Sequence, residues 1–180
     1  MDSVYRGQRH IYDATRKYFL FGRDALINGI KAAAGMRVLE IACGTGRNLD
    51  LIARRWPGVS LHGLDISAEM LRSANARLGD NAELVLGDAT CFDAKALFGQ
   101  PAFDRIVLSY SLSMIPDWRA ALQHAATLLA PGGSLHVVDF GDAAGLPSPL
   151  RWVLEVWLAK FHVTPRPDLS GCAEEIATRS

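Results

Sequence analysis

Residues 38–48, Val-Leu-Glu-Ile-Ala-Cys-Gly-Thr-Gly-Arg-Asn, place an apolar strand, one acid and a glycine turn in direct succession. Val38, Leu39 and Ile41 read as a buried strand. Gly44 and Gly46 lack a Cβ, so the chain can turn sharply there and approach a ligand closely. Leu49, Ile52 and Ala53 then recur at helical spacing, which makes the turn the opening of a helix whose first amides face the bound molecule. Two further acids end apolar runs: Asp65 follows Val59-Ser60-Leu61-His62-Gly63-Leu64, and Asp88 follows Leu84-Val85-Leu86-Gly87. In an open parallel sheet ligands bind outside the carboxyl ends of the strands, so Glu40, Asp65 and Asp88 are expected in one crevice. Acceptor-only groups there suit a ligand rich in hydroxyl and amino groups.

Strand and helix patterns alternate from Arg37 onward. Strand 37–42 leads to helix 47–55, which Pro57-Gly58 stops; strand 59–65 leads to a helix capped by Ser67 and ended by Gly79. Strand 83–87 precedes a less regular stretch containing Leu97 and Phe98. A fourth strand spans 103–109, a helix runs from Asp117 through Leu129, and Pro131-Gly132-Gly133 separates it from a fifth strand at 134–140. Such alternation implies right-handed crossovers and a sheet covered on both faces. The expected fold is α/β, a Rossmann-like three-layer αβα sandwich with a mostly parallel sheet in the order 3-2-1-4-5.

With 180 residues, the chain suits one domain with a substantial core. We divide it into an N-terminal helical cap or lid (1–31), a cofactor-binding core (37–141) and a C-terminal helical segment (146–180). Nineteen basic side chains balance nineteen acidic ones, which leaves no global field to attract nucleic acid. Cys43, Cys91 and Cys172 are widely spaced and form no C-x-x-C pair, so neither a zinc site nor a disulfide framework is indicated. His10, His62, His124 and His162 have no ligand-like spacing, and no metal is expected. Absence of an apolar leader or spanning stretch points to a cytoplasmic protein, with peripheral contact at the inner membrane surface as a further expectation. The oligomeric state is open.

Two segments support that further expectation. Residues 1–31 carry Arg6, Arg9, Arg16, Lys17, Arg23 and Lys31 against Asp2, Asp13 and Asp24, a local excess of +3, interleaved with Tyr5, Tyr12, Tyr18, Phe19 and Phe21. The segment reads as a capping helix with a solvated face or as a lid that also meets an anionic surface. Residues 149–161 are apolar nearly all round a helix, which suits burial, while Trp152, Trp157 and Lys160 suit a water–lipid interface.

The glycine turn and three acids resemble those of class I S-adenosylmethionine-dependent methyltransferases over roughly residues 10–141. The resemblance implies that Glu40 organises the turn and reaches the methionine amino group, and that Ala42, Cys43 and Gly44, with Gly46 in the same turn, bring main chain against the methionine part. It implies that Asp65 accepts the ribose hydroxyls, Ile66 and Met70 pack on adenine, Asp88 and the Ala89 amide read the adenine edge, and Ser109 faces the methionyl group. Tyr18 and Arg23 are candidates for closing over the methionyl carboxylate. Tyr110 is the candidate for lining the methyl-transfer path. Asp139 and His136 are further candidates near strand ends for receiving the acceptor's proton, His136 reading more readily as a sheet residue. Ala42 stands where the family has its first glycine, an exchange the backbone accepts at negative φ. The antiparallel strand pair with which such folds end is not expected from residues 162–180, which carry no β-branched alternation, so either the sequence is truncated or the sheet edge is closed by something else.

The flanking stretches Tyr12-Asp13-Ala14-Thr15-Arg16-Lys17-Tyr18 with Gly22-Arg23-Asp24, Tyr110-Ser111-Leu112-Ser113-Met114-Ile115-Pro116-Asp117-Trp118, and His136-Val137-Val138-Asp139-Phe140-Gly141 resemble those of diacylglycerylhomoserine N-methyltransferases of betaine-lipid synthesis. That resemblance implies an aminolipid or small-amine acceptor and S-adenosylhomocysteine as the cofactor product. Three rivals have weaker sequence support. A nicotinamide-dependent dehydrogenase would want a third glycine where Leu49 stands. A base methyltransferase would want an Asp/Asn-Pro-Pro-Tyr type of motif in place of Ser109-Tyr110-Ser111-Leu112. A noncatalytic scaffold would bind the cofactor and dock through residues 149–161.

Overall fold

The computed structural model describes residues 22–141, 147, 152, 156, 158 and 163–179. Its elements are α1 (Arg23–Gly29), β1 (Arg37–Ile41), α2 (Arg47–Arg55), β2 (Ser60–Asp65), α3 (Ala68–Leu78), β3 (Glu83–Leu86), α4 (Ala94–Phe98), β4 (Phe103–Ser109), α5 (Trp118–Thr127), β5 (Leu129–Val138) and α6 (Leu169–Arg179). All strand pairings are parallel, in the order β3-β2-β1-β4-β5. The chain reverses direction across the sheet between β1 and β4, which is where such sheets open a crevice.

Alternation along the strands assigns the two faces. Val38 and Val107 pack with Leu26, Ile27, Leu49, Ile52 and Leu78, so α1, α2 and α3 cover one face. Leu39, Ile41, Ile106 and Leu108 pack with Phe98, Ala121, Leu122, Ala125 and Cys172, so α4, α5 and α6 cover the other. Period-2 burial on both faces at once is the mark of a central parallel strand. The helix boundaries have local causes. Ser67, Asp93 and Asp117 cap α3, α4 and α5, each accepting from the backbone amide three residues on, which satisfies an otherwise orphaned donor.

Several boundaries differ from expectation: the helix expected through Leu129 ends at Thr127, the fifth strand ends at Val138, and two further differences change an element. The stretch holding Leu97 and Phe98 is a short helix, because the Asp93 cap and Gly99 at φ 65° define both its ends. β5 begins at Leu129, ahead of Pro131-Gly132-Gly133. Phe103 pairs with Leu129 but Arg105 with Ser134, so the Pro-Gly-Gly segment is a bulge within the strand, with Gly132 at φ 75°.

Of the proposed cap, residues 22–31 are described, and the apolar face of α1 joins the α2–α3 side; residues 1–21, Tyr18 among them, lie outside the described residues. In the C-terminal segment, Trp152, Val156 and Leu158 sit on helical backbone. Leu158 is buried with Tyr110, Phe140 and Val163, whereas Trp152 and Val156 are 65% and 52% exposed. Burial and exposure thus hold for different faces. Among the described residues no helix is long and apolar enough to cross a membrane, and β5 pairs only with β4.

Candidate active site

Register places Ala42, Asp65 and Ser109 at one level, with Glu40 two residues before it on β1 and Asp88 two residues beyond it after β3. Ile41 pairs with Leu64 on one side and Leu108 on the other, so the next residue, Ala42, lies between Asp65 and Ser109 at the carboxyl edge. The Gly44 amide donates to Asp65 Oδ2 at 2.8 Å, and the Ser67 amide donates to Oδ1 at 2.9 Å. One carboxylate thus joins the glycine turn to the start of α3. Glu40, 2% exposed, accepts from Asn48 Nδ2 at 2.7 Å, tying β1 to the first turn of α2. Burial, then the Glu40 and Asp65 carboxylates, push the Cys43 thiol well above its ordinary range. That shift reports the convergence of both acids around Cys43 and leaves the thiol protonated and inert.

Asp88 is exposed, and its Oδ1 accepts from both the Thr90 amide (2.8 Å) and the Thr90 hydroxyl (2.7 Å). Those bonds hold its carboxyl below the usual carboxylate range, the backbone bond contributing most. Among the described residues its Oδ2 receives no hydrogen bond. Ile66 beside this edge is 66% exposed, Met70 and Ala89 are buried, and Ser109 is 8% exposed.

The two glycines of the turn divide the work. A Cβ on Gly44 (φ 56°) would meet nothing within 4 Å, so the main chain there borders open space. A Cβ on Gly46 (φ 71°) would lie 2.8 Å from Leu78 Cδ1 and 3.0 Å from Ala74 Cβ. Gly46 therefore lets α2 pack on α3. Ala42 is a correction to expectation: its φ is +56°, so this alanine occupies the left-handed region in which a Cβ crowds the following carbonyl.

The other lip of the crevice follows β4. Tyr110 (φ 53°) is 5% exposed, its ring centroid lies 4.9 Å from that of Phe140, and its hydroxyl accepts from the Gly22 amide at 3.0 Å. It is a packed anchor between α1 and β4 rather than an open wall. Arg23, next to that contact, is 8% exposed, with Nε 3.7 Å from Asp24 Oδ1. His136 bonds to Ser134 at 2.8 Å within β5, away from the carboxyl edge. Asp139 is at the edge. Its Oδ2 accepts from the Ser113 amide at 3.0 Å and its Oδ1 from the Phe140 amide at 2.8 Å. Arg166 donates to the Leu112 and Ile115 carbonyls, and the Thr164 amide to the Ser113 carbonyl. The strap 163–166 therefore fixes the loop after β4.

Sequence reasoning missed Asn48, Thr90 and Arg166. The Asp88-Ala89-Thr90 spacing is a side-chain turn pattern that could have found Thr90; Arg166 acts across more than fifty residues and leaves no local signal. Among the described residues no group of three or more metal-ligating side chains clusters.

Comparison with known proteins decides the family. A methyltransferase domain model matches residues 39–135. The chain belongs to the class I S-adenosylmethionine-dependent methyltransferases. It is 30% identical over 154 residues, 83% of this chain and 61% of the relative, to the demethylmenaquinone methyltransferase of Renibacterium salmoninarum. Over 149 residues, 79% of this chain and 56% of the relative, it is 28% identical to the ubiquinone/menaquinone biosynthesis C-methyltransferase UbiE of Cereibacter sphaeroides. The chain thus spans little more than half the length of these curated relatives. The solved structure of an S-adenosylmethionine-bound amino pentose methyltransferase from Micromonospora echinaspora superposes with a TM-score of 0.59 at 28% identity, covering 72% of this chain and 56% of that one. The sheet order and crevice described above are those of this S-adenosylmethionine-binding fold.

Proposed function

We propose that the chain transfers methyl groups from S-adenosylmethionine to the amine nitrogen of an amphipathic acceptor, in its most specific form the homoserine amine of diacylglycerylhomoserine. The observation that carries this reading is Asp139, a carboxylate fixed at the carboxyl end of β5 beside the apolar cluster of Tyr110, Phe140, Leu158 and Val163. An anion next to an apolar wall suits a cationic head joined to a hydrocarbon body. The betaine-lipid assignment itself rests on the flanking motifs; the curated relatives above bear quinone-pathway names.

The residues present fit the cofactor. Gly44 borders open space, Asp88 keeps an oxygen for an amino group, and exposed Ile66 offers an apolar surface for adenine. Asp65 takes the ribose hydroxyls, with Met70 backing Ile66 and the Ala89 amide beside Asp88. Glu40, the main chain of Ala42, Cys43 and Gly44, and Ser109 hold the methionine part; Tyr18 and Arg23 close over its carboxylate. When bound, S-adenosylmethionine supplies an electrophilic methyl on a sulfonium. The protein's own task is to orient the acceptor nitrogen behind that methyl in dry surroundings, which can supply much of the acceleration. Asp139 receives the ammonium proton, freeing the lone pair. Tyr110 backs the path by packing. Trp152 and Val156, one helical turn apart and exposed, meet the lipid surface from which such an acceptor comes.

Methyl transfer to a ring carbon of a quinone precursor is the second reading, favoured by the similarity to UbiE. Mass spectrometry after parallel incubation with S-adenosylmethionine and either diacylglycerylhomoserine or reduced demethylmenaquinone separates the two. Successive methyl additions to the homoserine lipid support the amine reading, and methylation of the quinone alone overturns it. Tight S-adenosylhomocysteine binding with no methylated product from a wider aminolipid panel supports the scaffold.

A further inference from the structure

The loop that leaves β4 contains two buried hydroxyls without a bond to any described residue. Ser111 is 5% exposed and Ser113 is 2% exposed, and among the described residues neither Oγ has a hydrogen-bond partner. A buried donor and acceptor left unpaired is destabilising, and alanine would fill the same space without that penalty. The hydroxyls are also not free to relocate with their backbone. Ser113 is held at its amide by Asp139 and at its carbonyl by Thr164, the Ser111 carbonyl accepts from the Met114 and Ile115 amides, and Arg166 grips the Leu112 and Ile115 carbonyls. They lie two and four residues beyond Ser109, the last residue of β4, on the loop that leaves the carboxyl edge of the sheet.

We propose that Ser111 and Ser113, together with Asp139, bind the polar head of the methyl acceptor and determine its specificity for an amine-bearing group. A serine hydroxyl both donates and accepts, and Asp139 only accepts. Two hydroxyls on the loop that Asp139 holds by the Ser113 amide match an amine flanked by further polar atoms, as in an amino-acid head group. A bare aromatic ring would leave the hydroxyls unpaired, and a site with stranded polar groups rejects a ligand lacking the matching ones. The inference rests on the amine reading above and extends it to the residues that select the head.

The test uses the full chain as Ser111→Ala, Ser113→Ala and the double variant. If the hydroxyls are unsatisfied before the acceptor arrives, each alanine raises Tm by about 2–4 °C, the response of a chain this size to one relieved polar group. S-adenosylhomocysteine affinity stays within about twofold, whereas KM for diacylglycerylhomoserine in mixed micelles rises on the order of tenfold, the equivalent of one lost hydrogen bond to a charged group. A Tm that is unchanged or lower shows the hydroxyls already satisfied and overturns the proposal, as does unaltered KM. Should the wild type methylate neither the homoserine lipid nor the quinone, the amine reading falls separately. Thermal stabilisation of the wild type by the free glycerylhomoserine head group, lost in the double variant, then supports the site, and no stabilisation of the wild type overturns it.

Discussion

The two lips of the crevice are built differently. On the β1–β2–β3 side, the carboxylates are held by partners that the sequence or the sheet brings close: Glu40 by Asn48, Asp65 by Ser67 and the Gly44 amide, Asp88 by Thr90. On the β4–β5 side the fixing contacts span the chain: Gly22 to Tyr110, Asp139 to Ser113, Arg166 to Leu112 and Ile115. The first lip is complete once its strands pair. The second depends on α1 and the 163–166 strap, and among the described residues its loop holds two buried hydroxyls without a partner. One half is encoded locally, while distant segments can reshape the other.

Breaking the first lip has the largest expected effect. Asp65→Ala removes the acceptor of the Gly44 and Ser67 amides and the proposed ribose contact, so S-adenosylhomocysteine binding should weaken by about 1–3 kcal/mol, roughly five- to 150-fold. Calorimetric titration checks this, and undiminished affinity would refute the assignment. Breaking the second lip should leave that affinity alone. Arg166→Met deletes the bonds to the Leu112 and Ile115 carbonyls and should cost about 1–3 kcal/mol of folding stability by urea denaturation, with the cofactor analogue bound as in the wild type. Cofactor binding lost together with stability would mean that the halves are not separable.

Acid titrates both halves at once. Burial lowers the pKa of His62 on β2, outweighing the Glu83 carboxylate, and lowers that of His136 on β5 with help from Arg105. In the unfolded chain these histidines bind protons near pH 6.5, above their folded values, so the unfolded state carries more protons in that interval. Stability therefore falls as pH drops below 6.5. Urea midpoints at neutral pH and progressively lower pH should show that slope, reduced separately in His62→Gln and His136→Gln. An unchanged slope in both variants would assign it to other groups.

The smallest effect sharpens the contrast at the turn itself. Ala42→Gly removes a Cβ from the left-handed region, worth about 1–2 kcal/mol, against about 0.5–1 kcal/mol of added unfolded-chain freedom, so a net gain of about 0.5–1 kcal/mol is expected. A higher urea midpoint at constant m-value tests it.

Legibility in the sequence follows the same division. Helix 47–55 and strand 103–109 coincide with α2 and β4 because a glycine turn, Pro57-Gly58 and a clean apolar run mark their ends. Asp65 and the glycine turn could be placed together because both end apolar strands. Ala42 was misjudged because a side chain's tolerance of positive φ depends on what the turn must do, which composition does not reveal. The β5 bulge was hidden because Pro-Gly-Gly is equally a strand boundary. Asp139 was visible as a strand-end acid, but its bond to Ser113 and the Arg166 strap are products of tertiary packing with no periodic trace.

The buried sulfur of Cys43 has a practical consequence. Cys91 is exposed, whereas Cys43 and Cys172 are enclosed, so a maleimide offered to the folded protein should take one equivalent promptly at Cys91. Any later labelling at Cys43 would time the rate at which the packing around the glycine turn comes apart. The molecule thus carries its own clock for local breathing, readable without engineering a new cysteine.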